Sequence, residues 1–181
     1  MSFEPGDTVS DFLLENVHPN IGKSEMNLQD IMEVNGAIIV FSCLHCPYVI
    51  GNISRIEKIA EKATSNGVGF VAINSNAANT MYESDSAENT KIACSKGIPY
   101  PFLIDSDQSV SASWGAERTP EFYLINNEKN VIYRGRLDDS PKNPNLATTA
   151  ELDDALSQYL AGNKPNKQRT ESIGCSIKWV Y

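Results

Sequence analysis

The sequence Cys43-Leu44-His45-Cys46 stands between two hydrophobic signals of different period, and no other feature constrains the fold of this chain as strongly. Upstream, Gly36 opens the unbroken apolar run Ala37-Ile38-Ile39-Val40-Phe41, which predicts a central strand buried on both faces. Downstream, Val49, Ile50, Ile53, Ile56, Ile59, Ala60 and Ala63 recur in steps of three and four, drawing one face of a helix from Cys46 to about Ser65. Pro47 falls in its first turn, where a missing N–H costs nothing. Asn66-Gly67 is a stop, and Val68 to Ile73 reads as the next apolar strand. The unit is β-α-β, expected to be parallel and right-handed, with two thiols at its strand-to-helix junction.

The remaining elements follow the same logic. A segment with Phe12-Leu13-Leu14 leads to a helical turn at Leu28 to Met32, broken by Asn35-Gly36. Asp85-Ser86 precedes a helix that runs to about Ser95 and ends at Lys96-Gly97, and Pro101 to Asp105 is another strand. A short helix spans Val110 to Trp114. Glu121 to Ile125 and Val131 to Gly135 are strands joined by the polar loop 126–130, a length that predicts an antiparallel hairpin. Thr149 is placed to cap a last helix, Ala150 to Leu160. The expectation is one α/β domain over 1–161, with 162–181 a polar tail docked on it, since 181 residues suit a single domain.

Charge excludes some partners. A net charge of −8 repels phosphate backbones and anionic lipid heads, so nucleic acid and membrane surfaces are poor partners. The run from Ala37 to Phe41 is far short of the roughly 20 residues a membrane span needs. Met1 to Asp7 carries no basic region followed by an apolar stretch, so a cytoplasmic location is expected. In a reducing compartment a close cysteine pair reads as catalytic or metal-binding. Zinc normally takes four ligands, and Cys94, Cys175 and His18 form no second close pair, so neither a metal nor another cofactor is expected. Cys94, beside Ile92 and Ala93 on a helix, reads as core packing. Unpaired N–H groups at a helix start stabilise a thiolate, and His45 can lower a neighbouring thiol further by charge or hydrogen bonding. On this reading Cys43 attacks a disulfide and Cys46 resolves the mixed disulfide.

A wider pattern runs along the chain: Phe41-Ser42-Cys43-Leu44-His45-Cys46-Pro47-Tyr48-Val49, Val71-Ala72-Ile73-Asn74-Ser75-Asn76, Thr119-Pro120-Glu121-Phe122, Tyr133-Arg134-Gly135-Arg136-Leu137-Asp138-Asp139 and Gly174-Cys175-Ser176-Ile177-Lys178-Trp179. It resembles the peroxiredoxin-like thioredoxin-family proteins, the redoxin-domain members of AhpC/TSA type. The resemblance implies a thioredoxin-like fold: a central mixed β-sheet flanked by helices, with an N-terminal redoxin extension and a C-terminal tail. It also implies a cis-proline loop, Thr119-Pro120, beside the C-x-x-C, where an extended substrate would pair. Relatives often carry a cysteine just before this Thr-Pro, and Arg118 stands there instead, either holding positive charge near the thiolate or simply solvated. By the same resemblance His45 takes the place of the middle histidine of protein disulfide isomerases, which would raise the potential toward roughly −180 mV. Cys46 takes the peroxidatic place of a peroxiredoxin, and Cys43 the place of its threonine.

The expected function is thiol–disulfide exchange on a protein or small-molecule disulfide, with reducing equivalents from another thiol system. One alternative is an antioxidant peroxidase, with Cys46 peroxidatic and Cys43 resolving. The other is a metal-binding thioredoxin-fold module, for which His18 and His45 are the only histidines. Cys175 is either a further resolving thiol or part of a docked strand whose Trp179 covers apolar surface.

Overall fold

The computed structural model describes residues 1–181. Its elements are β1 (Leu13–Asn16), β2 (Glu25–Asn27), α1 (Leu28–Ile31), β3 (Ala37–Phe41), α2 (Pro47–Ile50), α3 (Ile53–Ser65), β4 (Gly69–Asn74), α4 (Ala87–Ser95), β5 (Phe102–Ile104), α5 (Ser109–Trp114), β6 (Arg118–Thr119), β7 (Glu121–Ile125), β8 (Val131–Gly135), α6 (Glu151–Leu160) and β9 (Cys175–Ser176).

The main sheet has the order β2-β1-β5-β4-β3-β7-β8. β3 runs parallel to β4, and β4 to β5, whereas β7 and β8 are antiparallel neighbours, so the sheet is mixed. The continuous apolar run of β3 is explained by its place: it lies between β4 and β7 and is buried on both faces. Side chains alternate along a strand, so Ile38 and Val40 enter one apolar layer while Ala37, Ile39 and Phe41 enter the other. The first layer is closed by α3, α4 and α6, and both Cys43 and Cys46 lie in it. The second is closed by α1 and α5 around Trp114. Cys94 is buried in the first layer. No helix is long and apolar enough to cross a membrane.

Three local readings of the sequence need correction. The helix expected from Cys46 to Ser65 is two helices, α2 and α3, separated at Gly51-Asn52. The loop after β8 presses on that break: a Cβ on Gly51 would lie 2.7 Å from the Pro141 carbonyl oxygen. Arg55 ties the two together, donating to the carbonyls of Gly51, Ser140 and Pro141 at 3.2, 3.1 and 3.0 Å and pairing with Asp138. Ile50 and Ile53 are consequently exposed, and the buried stripe of α3 starts at Ile56. Thr149 does not cap α6; Ala150 is the N-cap residue, and the Thr149 hydroxyl donates to Glu151 instead, at 2.8 Å. β1 and β2 form a hairpin that the mixed pattern around Leu13, itself exposed, did not reveal.

Residues beyond α6 return across the molecule. Thr170 N–H donates to the Arg134 carbonyl at 3.1 Å, and Gly135 admits the Thr170 backbone because it carries no Cβ. The chain then reaches β6, where β9 pairs antiparallel with Arg118 opposite Ser176 and Thr119 opposite Cys175.

Candidate active site

Three segments converge at the C-terminal end of β3. The first is 42–46, which leaves the sheet after one more ladder bond, from Ser42 N–H to the Ile73 carbonyl at 2.8 Å. The second is the 3-10 turn Glu83–Asp85 ahead of α4, and the third is the junction of β6 and β7, where the Thr119–Pro120 peptide is cis. Thr119 touches both thiols: its Oγ1 lies 3.3 Å from Cys43 Sγ, and its carbonyl oxygen lies 3.3 Å from Cys46 Sγ, accepting a hydrogen bond whenever that thiol is protonated.

Asp85 holds the cysteine loop in shape. It is fully buried, and its carboxylate accepts from the N–H groups of Leu44 and His45 at 2.8 and 3.1 Å, from Asn76 Nδ2 at 2.9 Å, and from the imidazole Nδ1 of His45. Cys43, His45 and Asp85 present ligand-type atoms within 4.8 Å of one another. Because both oxygens of Asp85 are already engaged by these donors, the cluster is built as an orienting network for the loop. Sequence reasoning assigned Asp85 only to the start of α4; a turn aspartate and a buried ligand of the loop look alike along the chain.

The thiols share their protons unequally. Cys46 is held well below the ordinary thiol range, at about 4, first by a hydrogen bond from Cys43 and then, against the cost of burial, by the Cys175 side chain and the N–H groups of Cys175 and Tyr48. Cys43 is pushed far above that range by the same bond, by burial and by the negative charge of Asp85. The directions of these two shifts point to Cys46, where the sequence reading expected the thiolate on Cys43. The helix begins at Pro47 with Cys46 as its N-cap residue, three positions beyond Cys43, and α2 has only four residues. What selects Cys46 is local hydrogen bonding more than a helix dipole.

The other predicted residues fall as follows. His45 is half-buried, engaged with Asp85 and stacked on Tyr82 at 5.8 Å, so it orients the loop and donates nothing to Cys43. Pro120 lies buried next to Thr119, at the thiols. Arg118 is exposed, and its guanidinium donates to the Gly174 carbonyl at 3.1 Å, clasping the tail. The strand edge at Thr119, expected to receive a substrate segment, is already paired with β9. Cys175 is half-buried and packed against the layer that contains Cys43 and Cys46. His18 lies elsewhere, buried with its Nε2 donating to the Ile98 carbonyl at 2.6 Å and its Nδ1 accepting from Asn20 N–H.

Comparison with known proteins places this geometry. The redoxin family profile matches residues 4–156. A crystal structure of an uncharacterized conserved protein from Geobacillus kaustophilus is 36% identical, with a TM-score of 0.88 over 98% of this chain and 93% of its own. A hypothetical protein from Sinorhizobium meliloti is 30% identical, with a TM-score of 0.87 over 99% and 97%. A secreted disulfide oxidoreductase of Mycobacterium tuberculosis, homologous to DsbE of Escherichia coli, is 16% identical, with a TM-score of 0.55 over 83% of this chain and 95% of its own. The fold is thioredoxin-like, as the resemblance implied. No curated protein matches the chain.

Proposed function

Since the chain belongs to the redoxin family, we propose that it is a thiol–disulfide oxidoreductase whose redox couple is Cys43 and Cys46. Family and fold do not fix the chemistry; the residues of the site do. The observation that carries it is the buried pair Cys43 and Cys46 at the cis Thr119–Pro120 junction, with Thr119 Oγ1 3.3 Å from one sulfur and its carbonyl oxygen 3.3 Å from the other. A nucleophile and its resolving partner then lie side by side before any substrate arrives.

The Cys46 thiolate attacks one sulfur of a substrate disulfide, forming a mixed disulfide and releasing the other sulfur as a thiolate, which takes up a proton. Cys43 then gives up its proton and attacks Cys46 Sγ. The Cys43–Cys46 bond forms, the mixed disulfide breaks, and the substrate leaves fully reduced. An external dithiol reverses the change on the protein. The proposed setting is the cytoplasm, where a thiol pool can supply that dithiol.

A second reading is favoured by the direction in which Cys46, the residue in the peroxidatic place, is shifted: the bond from Cys43 lowers its thiol. Peroxide would be reduced to water or an alcohol while Cys46 becomes a sulfenic acid, and Cys43 would condense with it, releasing water. Oxidising the reduced protein in single turnover with equal concentrations of a small disulfide and of hydrogen peroxide separates the two. Disulfide exchange predicts that the disulfide reacts faster and that a mixed disulfide on Cys46 precedes the Cys43–Cys46 bond. Faster reaction with peroxide, through a trappable sulfenic acid, would replace the first reading with the second.

A further inference from the structure

The redox couple is covered. Cys43 and Cys46 are 1% and 0% exposed, and what lies over the Thr119 edge is the chain's own C-terminal segment. Gly174 sits so tightly on the Thr119–Pro120 peptide that a Cβ there would lie 2.1 Å from the Thr119 carbonyl oxygen. Ile177 N–H donates to the Glu117 carbonyl at 3.0 Å, and the Arg118 guanidinium holds Gly174. Further on, Lys178 N–H reaches Asn76 Oδ1 at 2.9 Å, and the buried Gln108 side chain donates to the Lys178 carbonyl at 3.0 Å. These bonds seat an extended strand along the cis-proline edge, with a cysteine directly opposite the residue that touches both active thiols.

We propose that residues 174–179 are a built-in pseudo-substrate, and that Cys175 exchanges with the Cys43–Cys46 disulfide to carry it from the buried pair to the half-exposed tail. This rests on the reading of Cys43 and Cys46 as the redox couple. The Cys175 thiolate attacks Cys46 Sγ; the Cys46–Cys175 bond forms, the Cys43–Cys46 bond breaks, and Cys43 leaves as a thiolate that takes the proton Cys175 gave up. No electrons enter or leave, so the step needs no additional oxidant. An outside thiol then meets a disulfide at Cys175 without having to enter the buried layer.

Arming of Cys175 follows from its surroundings. Burial, the hydrogen bond to Cys46 and the Cys46 negative charge hold its thiol up, at about 11, whereas Lys178 and Lys142 pull it down. Oxidation of Cys46 removes two of the three effects that keep Cys175 protonated and leaves both lysines in place. Cys175 thus stays silent while the couple is reduced and becomes a nucleophile once it is oxidised.

Cys43→Ser and Cys175→Ser proteins, each treated with oxidised glutathione, acid-quenched and mapped by mass spectrometry of unreduced peptides, provide the test. The Cys43→Ser protein is expected to gain an intramolecular Cys46–Cys175 disulfide as its main product. Adding Gly174→Val to it, which forces the tail off Thr119, should lower that yield at least about tenfold as the seated thiol's effective molarity is lost. A Cys43→Ser protein that keeps Cys46 as a stable glutathione adduct beside a free Cys175 would overturn the proposal, whatever the behaviour of the Gly174 variant. The Cys175→Ser protein reports on the underlying reading alone: it should still form Cys43–Cys46, and its failure to do so would remove the redox couple itself.

Discussion

Replacing Cys46 by serine should lower the rate of disulfide reduction by at least about a thousandfold, because a hydroxyl is not ionised at neutral pH and the thiolate is the attacking species. Cys43→Ser should behave differently: the first attack survives, and the protein stops at a mixed disulfide or passes it to Cys175. A reversed pattern, with attack lost in Cys43→Ser and kept in Cys46→Ser, would return the nucleophile to Cys43. The pH profile carries the same assignment. A thiolate exists above its pKa, so depression of Cys46 to about 4 keeps the attack rate nearly flat from pH 8 down to pH 6. An ordinary thiol titrating near 8.5 would lose about 80-fold over that interval. Stopped-flow measurement of the first attack in the wild-type protein reads the slope directly. A fall approaching tenfold per pH unit in the wild type would contradict a depressed Cys46, whereas a flat wild-type profile beside a steeper one in Cys43→Ser would identify the bond from Cys43 as its cause.

The second large effect is expected at Asp85, a residue that touches no substrate. Asp85→Ala leaves the Leu44 and His45 N–H groups, Asn76 Nδ2 and the His45 imidazole without their acceptor. Each orphaned buried donor costs roughly 1–3 kcal/mol, and some regain water, so the net loss in unfolding free energy should be about 3–5 kcal/mol. Asp85→Asn separates shape from charge. Its amide oxygen can still accept from the two backbone N–H groups, so urea unfolding should show the smaller loss of the two variants. Because the Asp85 charge is one cause of the raised Cys43 pKa, the Asn variant should also lower it, and the thiol ultraviolet titration should move toward the ordinary range. Equal destabilisation by Ala and Asn, with an unmoved titration, would reduce Asp85 to a packing residue.

Much of this architecture was readable in the chain because its signals are local. The double-faced burial of β3 follows from five consecutive apolar residues, and the β7–β8 hairpin from two apolar runs around a polar loop. Bringing Thr119 to the cysteines was implied only by resemblance, since no local pattern joins positions 76 residues apart. What escaped was decided by tertiary contact. The break at Gly51 is imposed by the loop at Pro141, and periodicity along 46–65 carries no trace of it. Asp85 acts through backbone donors 40 residues away, and Arg118, exposed as one of its two sequence readings had it, also clasps the tail, which neither reading foresaw. The direction of the Cys46 shift comes first from its bond with Cys43 and then from Cys175, and no spacing rule connects Cys175 to a C-x-x-C.

On the proposed reading Cys43 and Cys46 are a redox couple with Cys46 as its reactive member. Incubating the reduced wild-type protein in glutathione buffers of graded potential, quenching with acid and mapping every cysteine tests it most directly. The account predicts a two-electron transition in which Cys46 is always one partner, bonded to Cys43 or to Cys175, while Cys94, buried in the helical layer, stays reduced throughout. A protein whose Cys43 and Cys46 both remain free thiols in oxidised glutathione, under conditions where its fold is intact, would contradict it.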